Sequence, residues 1–259
     1  MSKENKFETN AIHVGNKPDP STGSISPPIH LTSTYVQDGI GKNKGFDYSR
    51  GTNPTRERLE KNIASLEGGY DAIAFSSGMA ATTALLQHLK QGDHVIISRN
   101  VYGGTYRMTT QVLSNHGLKF DFVDTTDTQN IKETIKPETK WVFIETPTNP
   151  MLEVTDIAAV SKICKEGNIK FAVDNTFMSP FGQRPIEHGA DCVMHSTTKF
   201  IGGHSDVLGG VLVAKDKELS DKLHFIQKSG GAIPSPFDAW LLLRSVKTLG
   251  MRVQKASDN

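Results

Sequence analysis

The stretch that decides the fold is Trp141-Val-Phe-Ile-Glu145-Thr-Pro-Thr-Asn-Pro-Met-Leu-Glu-Val-Thr-Asp-Ile157-Ala-Ala-Val-Ser-Lys-Ile-Cys-Lys165-Glu-Gly-Asn-Ile-Lys170-Phe-Ala-Val-Asp174. Two short apolar runs, Trp141–Glu145 and Lys170–Asp174, flank a helical segment over Ile157–Lys165. A strand, a helix and a second strand at this spacing make a crossover unit, which pairs its strands in parallel. The same alternation extends in both directions. Strands are expected at Asp71–Phe75, His94–Ser98, Lys119–Val123, Cys192–His195 and Leu208–Val213. Helices are expected at Pro54–Leu66, Met79–Leu89, Thr105–Asn115 and Lys217–Lys228. The implied class is α/β, a mixed but mostly parallel sheet with helices on both faces.

At 259 residues the chain can form one large α/β domain, or one domain and part of a second. Its 29 basic and 28 acidic residues balance to +1. No basic tract points to nucleic acid, so that partner is not expected. Cys164 and Cys192 are the only cysteines, without metal-ligand spacing, so neither a disulfide framework nor a zinc site is supported. His195 and His204 fit no standard zinc motif either. The polar N-terminus lacks the apolar core of a signal peptide, and no run of apolar residues reaches membrane-spanning length. A cytoplasmic protein is expected.

Residues 1–48 are rich in Pro, Gly, Ser and Asn without sustained periodicity, and read as an extended arm that can wrap a partner subunit. A large domain is expected over 49–244. Phe237–Lys255 carries Ala239, Leu242, Leu243, Val246 and Leu249 at helical spacing. Residues 245–259 are expected to begin a linker helix to a further domain, because the chain stops at Ser257-Asp258-Asn259 with no sign of a domain closing.

In open α/β sheets, ligands bind at the carboxyl ends of strands, and the chemically interesting residues fall there. Asp174 ends one strand. Lys199 lies in His195-Ser-Thr-Thr-Lys199-Phe-Ile-Gly-Gly-His204 after another. A lysine amine that can hold an aldehyde, with a carboxylate that can keep a pyridine nitrogen protonated, is the pair an aldehyde cofactor with a pyridine ring requires. The apolar Phe200, Ile201 and the Gly pair suggest a desolvated lysine; a solvated loop lysine fits the same residues. Asp174 is equally readable as a helix cap.

Ser76-Ser77-Gly78-Met79 opens a helix, either as an anion site or as an ordinary cap. Ser196 and Thr198 can donate to phosphate oxygens, and Arg50 is a strong bidentate phosphate donor. Tyr102 can stack on a planar group or simply pack. Asn149, in the turn Glu145–Pro150, is held toward a ligand or serves the turn alone.

Together these residues resemble the cysteine/methionine-metabolism family of pyridoxal-phosphate enzymes. The resemblance runs through Tyr48-Ser-Arg-Gly-Thr-Asn-Pro-Thr, Ser77-Gly-Met-Ala-Ala, Val101-Tyr-Gly-Gly-Thr, Glu145-Thr-Pro-Thr-Asn-Pro, Val173-Asp-Asn-Thr-Phe and Ser196-Thr-Thr-Lys, in order and over almost the whole chain. It continues through Gly202-Gly-His-Ser-Asp and Gly231-Ala-Ile-Pro-Ser-Pro-Phe-Asp.

The resemblance implies the aspartate-aminotransferase type of fold and pyridoxal 5'-phosphate as cofactor. It implies Lys199 as the Schiff-base lysine and proton shuttle, Asp174 as partner of the ring nitrogen, and Tyr102 as the stacking and catalytic aromatic. Gly78, Met79, Ser196 and Thr198 become the phosphate cradle, and Tyr48 and Arg50 its ligands from a neighbouring subunit. Asn149 falls near the ring hydroxyl and the substrate carboxylate, and Arg107 near the substrate entrance. Shared sites imply dimers, assembled as a homotetramer, acting on a small amino acid.

Among the family's activities, Phe177–Pro185 and Gly231–Asp238 are most similar to cystathionine γ-lyases, with γ-synthase the alternative. Gly104 stands where methionine γ-lyases carry cysteine. Family members continue into a C-terminal domain that supplies an arginine for the substrate carboxylate. The expectation for 259 residues alone is therefore weak cofactor binding or poor turnover, or an inactive cofactor-binding remnant.

Overall fold

A computed structural model describes residues 6–259; residues 1–5 of the expected arm lie outside the described residues. In chain order the elements are α1 (Phe7–His13), α2 (Pro54–Glu67), β1 (Asp71–Phe75), α3 (Gly78–Gln87), β2 (His94–Ser98), α4 (Gly103–Gln111) and β3 (Lys119–Val123). There follow α5 (Thr128–Thr134), β4 (Thr139–Glu145), α6 (Ile157–Glu166), β5 (Lys170–Asp174), α7 (Ser179–Gly182), β6 (Cys192–His195) and β7 (Gly210–Ala214). The chain ends in α8 (Lys217–Gly230), α9 (Pro236–Ser245) and α10 (Leu249–Asp258).

The sequence specifies the helix starts locally. The Asn53 side chain accepts from the N–H groups of Thr55 and Arg56 with Pro54 in the first turn, and Gly68 closes α2 in the left-handed conformation. Asp156, Asp216 and Ser235 cap α6, α8 and α9 in the same way.

The seven strands form one sheet in the order β1-β7-β6-β5-β4-β2-β3. β7 is antiparallel to both neighbours, and every other pairing is parallel. The carboxyl ends of β1 to β6 therefore share one edge. Successive residues of each strand feed opposite cores: Ala72, Ala74, Val142, Ile144, Phe171 and Val173 face α2, α6 and α9. Ile73, Phe75, Trp141, Phe143, Ala172 and Met194 pack with Leu85, Leu219 and Leu223 on the other side. Cys164 and Cys192 are buried and unbridged within these cores. No helix among the described residues is long and apolar enough to cross a membrane.

Four local expectations change. The start of the arm is not extended: α1 docks on the body, where the Asn62 amide donates to the carbonyls of Asn10, Ala11 and Val14. Phe7 meets Phe181 edge-on at 5.3 Å. Helix α5 was illegible because Ile131 is its only buried residue. The last strand begins at Gly210, since both backbone groups of Gly209 are held by the Thr198 hydroxyl. The helix expected over 237–255 is broken by a 3-10 turn at Val246–Thr248, with the Ser245 carbonyl taken up by Thr248 and Arg252.

Candidate active site

At the end of β1 the chain turns through Ser76 and Ser77 into α3. The Ser77 hydroxyl caps the Ala80 N–H, leaving the N–H groups of Gly78 and Met79 at the helix mouth. This turn lies hard against the loop that follows β6. A Cβ on Gly78 would sit 2.8 Å from Ser196 Cβ and 3.0 Å from its Oγ. A Cβ on Gly210 would stand 2.2 Å from the Ser77 carbonyl oxygen. Only glycine permits either approach. The result is a cradle of two helix-terminal N–H groups beside the Ser196 hydroxyl, the donor set for a phosphate. Thr198 is differently employed: its hydroxyl is bound to Gly209 on both sides.

Across the edge, β4 and β5 end in register, Glu145 opposite Asp174. Both carboxylates are buried, 6% and 5% exposed. Asp174 accepts one backbone N–H, from Thr176 at 3.0 Å, and has no cationic partner within salt-bridge distance among the described residues. Burial pushes its carboxyl above the ordinary carboxylate range, with the Thr176 bonds and His195 acting against the rise. A buried, under-compensated carboxylate fits the protonated nitrogen of a pyridine ring.

Glu145 accepts the Tyr102 N–H on Oε2 at 2.6 Å and the Asn149 N–H on Oε1 at 2.8 Å. Burial, followed by the charge of Asp174, pushes Glu145 up to about 7 against its ordinary 4.5, while those two N–H donors oppose the shift.

Behind these acids lies a second layer. His195 Nε2 and Glu67 Oε2 meet at 2.8 Å, both essentially sealed from solvent. Asn175 reaches Glu67 and donates to the Gln183 carbonyl, and Gln183 donates to Asn175 and to the Thr146 carbonyl. This mesh ties the ends of α2, β4, β5 and β6 together. Burial raises the Glu67 carboxyl, with His195 the chief opposing influence.

Lys199 follows β6 and lines a cleft of about 940 Å3 with Thr198, Phe200, Ser205, Asp238 and Arg252. Contrary to the desolvation expected from its neighbours, its side chain is exposed, and it forms no ion pair among the described residues. Phe200 is only half-buried, and Ile201 turns into the core instead of covering the amine. The loop itself is fixed: Arg252 donates to the carbonyls of Phe200 at 2.5 Å, Ile201 at 3.4 Å and Ser245 at 3.0 Å.

The sheet edge thus brings together Gly78, Met79, Ser196, Asp174, Tyr102 and Asn149. Tyr48 and Arg50 stand apart where the arm meets the large domain, with Arg50 donating to the Lys228 carbonyl and lying 5.5 Å from the Tyr48 ring. Arg107 is exposed on α4. Sequence reasoning gave no role to Glu145, His195, Glu67 or Arg252. The strand-end position of Glu145 was a usable signal. The other three are defined by partners far along the chain.

A family model described as Cys/Met metabolism PLP-dependent enzyme matches residues 8–259. The chain is 50% identical over 253 residues to a probable cystathionine γ-synthase of Herpetosiphon aurantiacus, covering 98% of this chain and 79% of that protein. It is 47% identical over 254 residues to a cystathionine γ-lyase of Bacillus subtilis, covering 98% and 67%. The solved structure of metB from Corynebacterium glutamicum superposes with a TM-score of 0.94 at 47% identity, covering 95% of this chain and 65% of that one. Against these three the chain spans between 65% and 79% of their lengths. Fold type I is thereby established for the sheet described above, and pyridoxal phosphate is the family's cofactor. The chain belongs to the Cys/Met-metabolism family of pyridoxal-phosphate-dependent enzymes.

Proposed function

We propose that this protein is a cystathionine γ-lyase, cleaving L-cystathionine with water to L-cysteine, 2-oxobutanoate and ammonia. Family membership makes it a pyridoxal-phosphate enzyme of carbon–sulfur chemistry; the choice of lyase is the proposal. The observation that carries the cofactor reading is the buried carboxylate of Asp174, without a cationic partner within salt-bridge distance among the described residues, on the same sheet edge as the Gly78–Met79–Ser196 cradle. When bound, pyridoxal phosphate supplies an electron sink for negative charge at the substrate α- and β-carbons.

The chain's residues take the remaining tasks. Asp174 keeps the ring nitrogen protonated, and Gly78, Met79 and Ser196 hold the phosphate. Thr198 joins them by turning its proton away from the Gly209 carbonyl, while its oxygen goes on accepting from the Gly209 N–H. The Tyr102 ring would stack on the cofactor ring, and its phenol would protonate the departing group. Lys199 Nζ anchors the cofactor and carries protons between substrate carbons. Asn149 orients the ring hydroxyl and the substrate carboxylate, with Arg107 at the entrance. Tyr48 and Arg50 serve a neighbouring subunit's phosphate within a homotetramer of site-sharing dimers in the cytoplasm. The arm over 1–48, the large domain over 49–244 and a linker over 245–259, whose helix α10 follows the 3-10 turn, complete this reading.

The test compares 2-oxobutanoate release from cystathionine with cysteine addition to an activated homoserine, in the full polypeptide. Dominant cleavage, abolished in Lys199→Ala, supports the lyase. Dominant addition assigns the synthase, the name carried by the Herpetosiphon relative.

A further inference from the structure

We propose that Glu145 is a positioning residue: one buried carboxylate that fixes the backbones of Tyr102 and Asn149 relative to Asp174. The proposal rests on the pyridoxal-phosphate reading above and adds to it the part that sets the spacing of the groups around the ring.

Helix α4 begins at Gly103 with no side chain of its own capping it. The N–H of Tyr102, just before it, is taken up by Glu145 from the end of a different strand. The other oxygen of the same carboxylate holds the Asn149 N–H, four residues further along its own chain. Glu145 is itself fixed, because its N–H donates to Ser98 Oγ at 3.2 Å and its strand partner is Asp174. Two residues expected around one planar ring, Tyr102 and Asn149, are therefore held by a single carboxylate whose own strand position is fixed beside the third, Asp174.

The backbone of Tyr102 decides where its half-exposed ring starts from. It lies over the start of α4, where a Cβ on Gly104 would be 2.5 Å from Tyr102 Cε1 and 2.8 Å from Met79 Sδ. The Tyr102 ring and the cradle residue Met79 thus both border the space that a side chain at Gly104 would fill. A fold that needed only a capped helix would place Ser, Thr or Asp at position 102, at far lower desolvation cost than a buried Glu from β4.

Glu145→Gln tests this, because an amide offers one acceptor oxygen and turns its NH2 toward the second N–H donor. At pH 8, without cofactor, amide hydrogen exchange at Tyr102 or Asn149 should accelerate on the order of tenfold. The dissociation constant for pyridoxal phosphate should rise on the order of tenfold, and the induced circular dichroism of the bound cofactor should weaken. In a background of Tyr102→Ala with Asn149→Ala, the same substitution should have almost no further effect on affinity.

Unchanged protection of both amides, or an equal affinity loss in both backgrounds, overturns the proposal. Should Glu145→Gln fail to fold, Glu145→Asp carries the same comparison, since the shorter acid spans only one of the two N–H groups. An unsubstituted protein that binds no pyridoxal phosphate sinks the functional reading, while the exchange measurement still decides the role of Glu145.

Discussion

Replacing Glu145 by Gln should make the cofactor-free protein more stable at alkaline pH and leave it little changed in acid. The folded-state pKa is raised, from 4.5 to about 7, by burial and by the charge of Asp174. Below pH 4.5 the group is protonated in both the folded and the unfolded chain. Between pH 4.5 and about 7 the unfolded chain releases its proton first, so the folded state holds the extra proton and stability falls as pH rises. Above that window the loss is complete. At 1.36 kcal/mol per pH unit the interval gives a ceiling of about 3 kcal/mol.

Gln is close in shape to the protonated acid and has no proton to lose, so the variant escapes the decline. Urea denaturation of both proteins from pH 4 to 8.5, followed by tryptophan fluorescence, measures the difference directly. Titrating groups remote from Glu145 cancel in the comparison, while Asp174, whose charge acts on Glu145, does not. The gap should open by up to about 3 kcal/mol, all of it below pH 8. Asp174→Asn should remove part of the slope, because Asp174 is the second cause of the shift. A gap that stays constant across the range refutes the reasoning. Combined with faster exchange at Tyr102 or Asn149, the variant would be globally tougher and locally looser, the signature of stability given up for placement.

Three further outcomes follow from other contacts. Gly78→Ala should cost the fold about 1–3 kcal/mol for overpacking against Ser196, offset by about 1 kcal/mol of helix propensity. It should weaken binding of pyridoxal phosphate much more than binding of phosphate-free pyridoxal, and equal losses for the two ligands would place the phosphate elsewhere. Arg252→Ala should free the carbonyls of Phe200 and Ile201, lowering the thermal midpoint and slowing borohydride trapping of pyridoxal phosphate at Lys199. Arg252→Lys should not rescue it, since an ammonium cannot reproduce the fork. His195→Ala should cost about 3–5 kcal/mol in urea denaturation, because Glu67 is left buried without its main partner. A loss below about 1 kcal/mol would mean that the pair carries little.

The sheet and the location of its active edge were legible because they rest on local signals. Apolar runs with Asn53, Asp156 and Asp216 at helix starts specify the alternation, and parallel alternation puts Asp174, Ser77 and Ser196 at one edge. What stayed hidden depends on register and on long-range partners. Glu145 reads as the first residue of a Pro-rich turn until the pairing with β5 sets it beside Asp174. His195 invites a metal reading until Glu67 arrives from the end of α2. Arg252 lies on a helix whose pattern describes only its buried face, yet its guanidinium reaches the loop after Lys199. The exposure of Lys199 was hidden for a related reason, since apolar neighbours in sequence say nothing of which way the loop turns them.

Three acids at and behind this edge share a physical character. Glu67, Glu145 and Asp174 are buried acids, and burial raises all three. They are compensated unequally. Glu67 has His195 and Asn175, and Glu145 has two backbone N–H groups, while Asp174 has a single N–H from Thr176. If stability alone governed this edge, an amide or an apolar residue at position 174 would serve better than a lone carboxylate. The gradient of compensation runs toward Asp174, leaving it as the acid with most to gain from a cationic ligand. A pyridinium nitrogen seated there would offset the Asp174 charge, which is the second cause, after burial, of the rise in Glu145 to about 7. Cofactor binding should therefore lower the Glu145 pKa, strengthen its grip on Tyr102 and Asn149, and tighten the site around the ring that triggered the change.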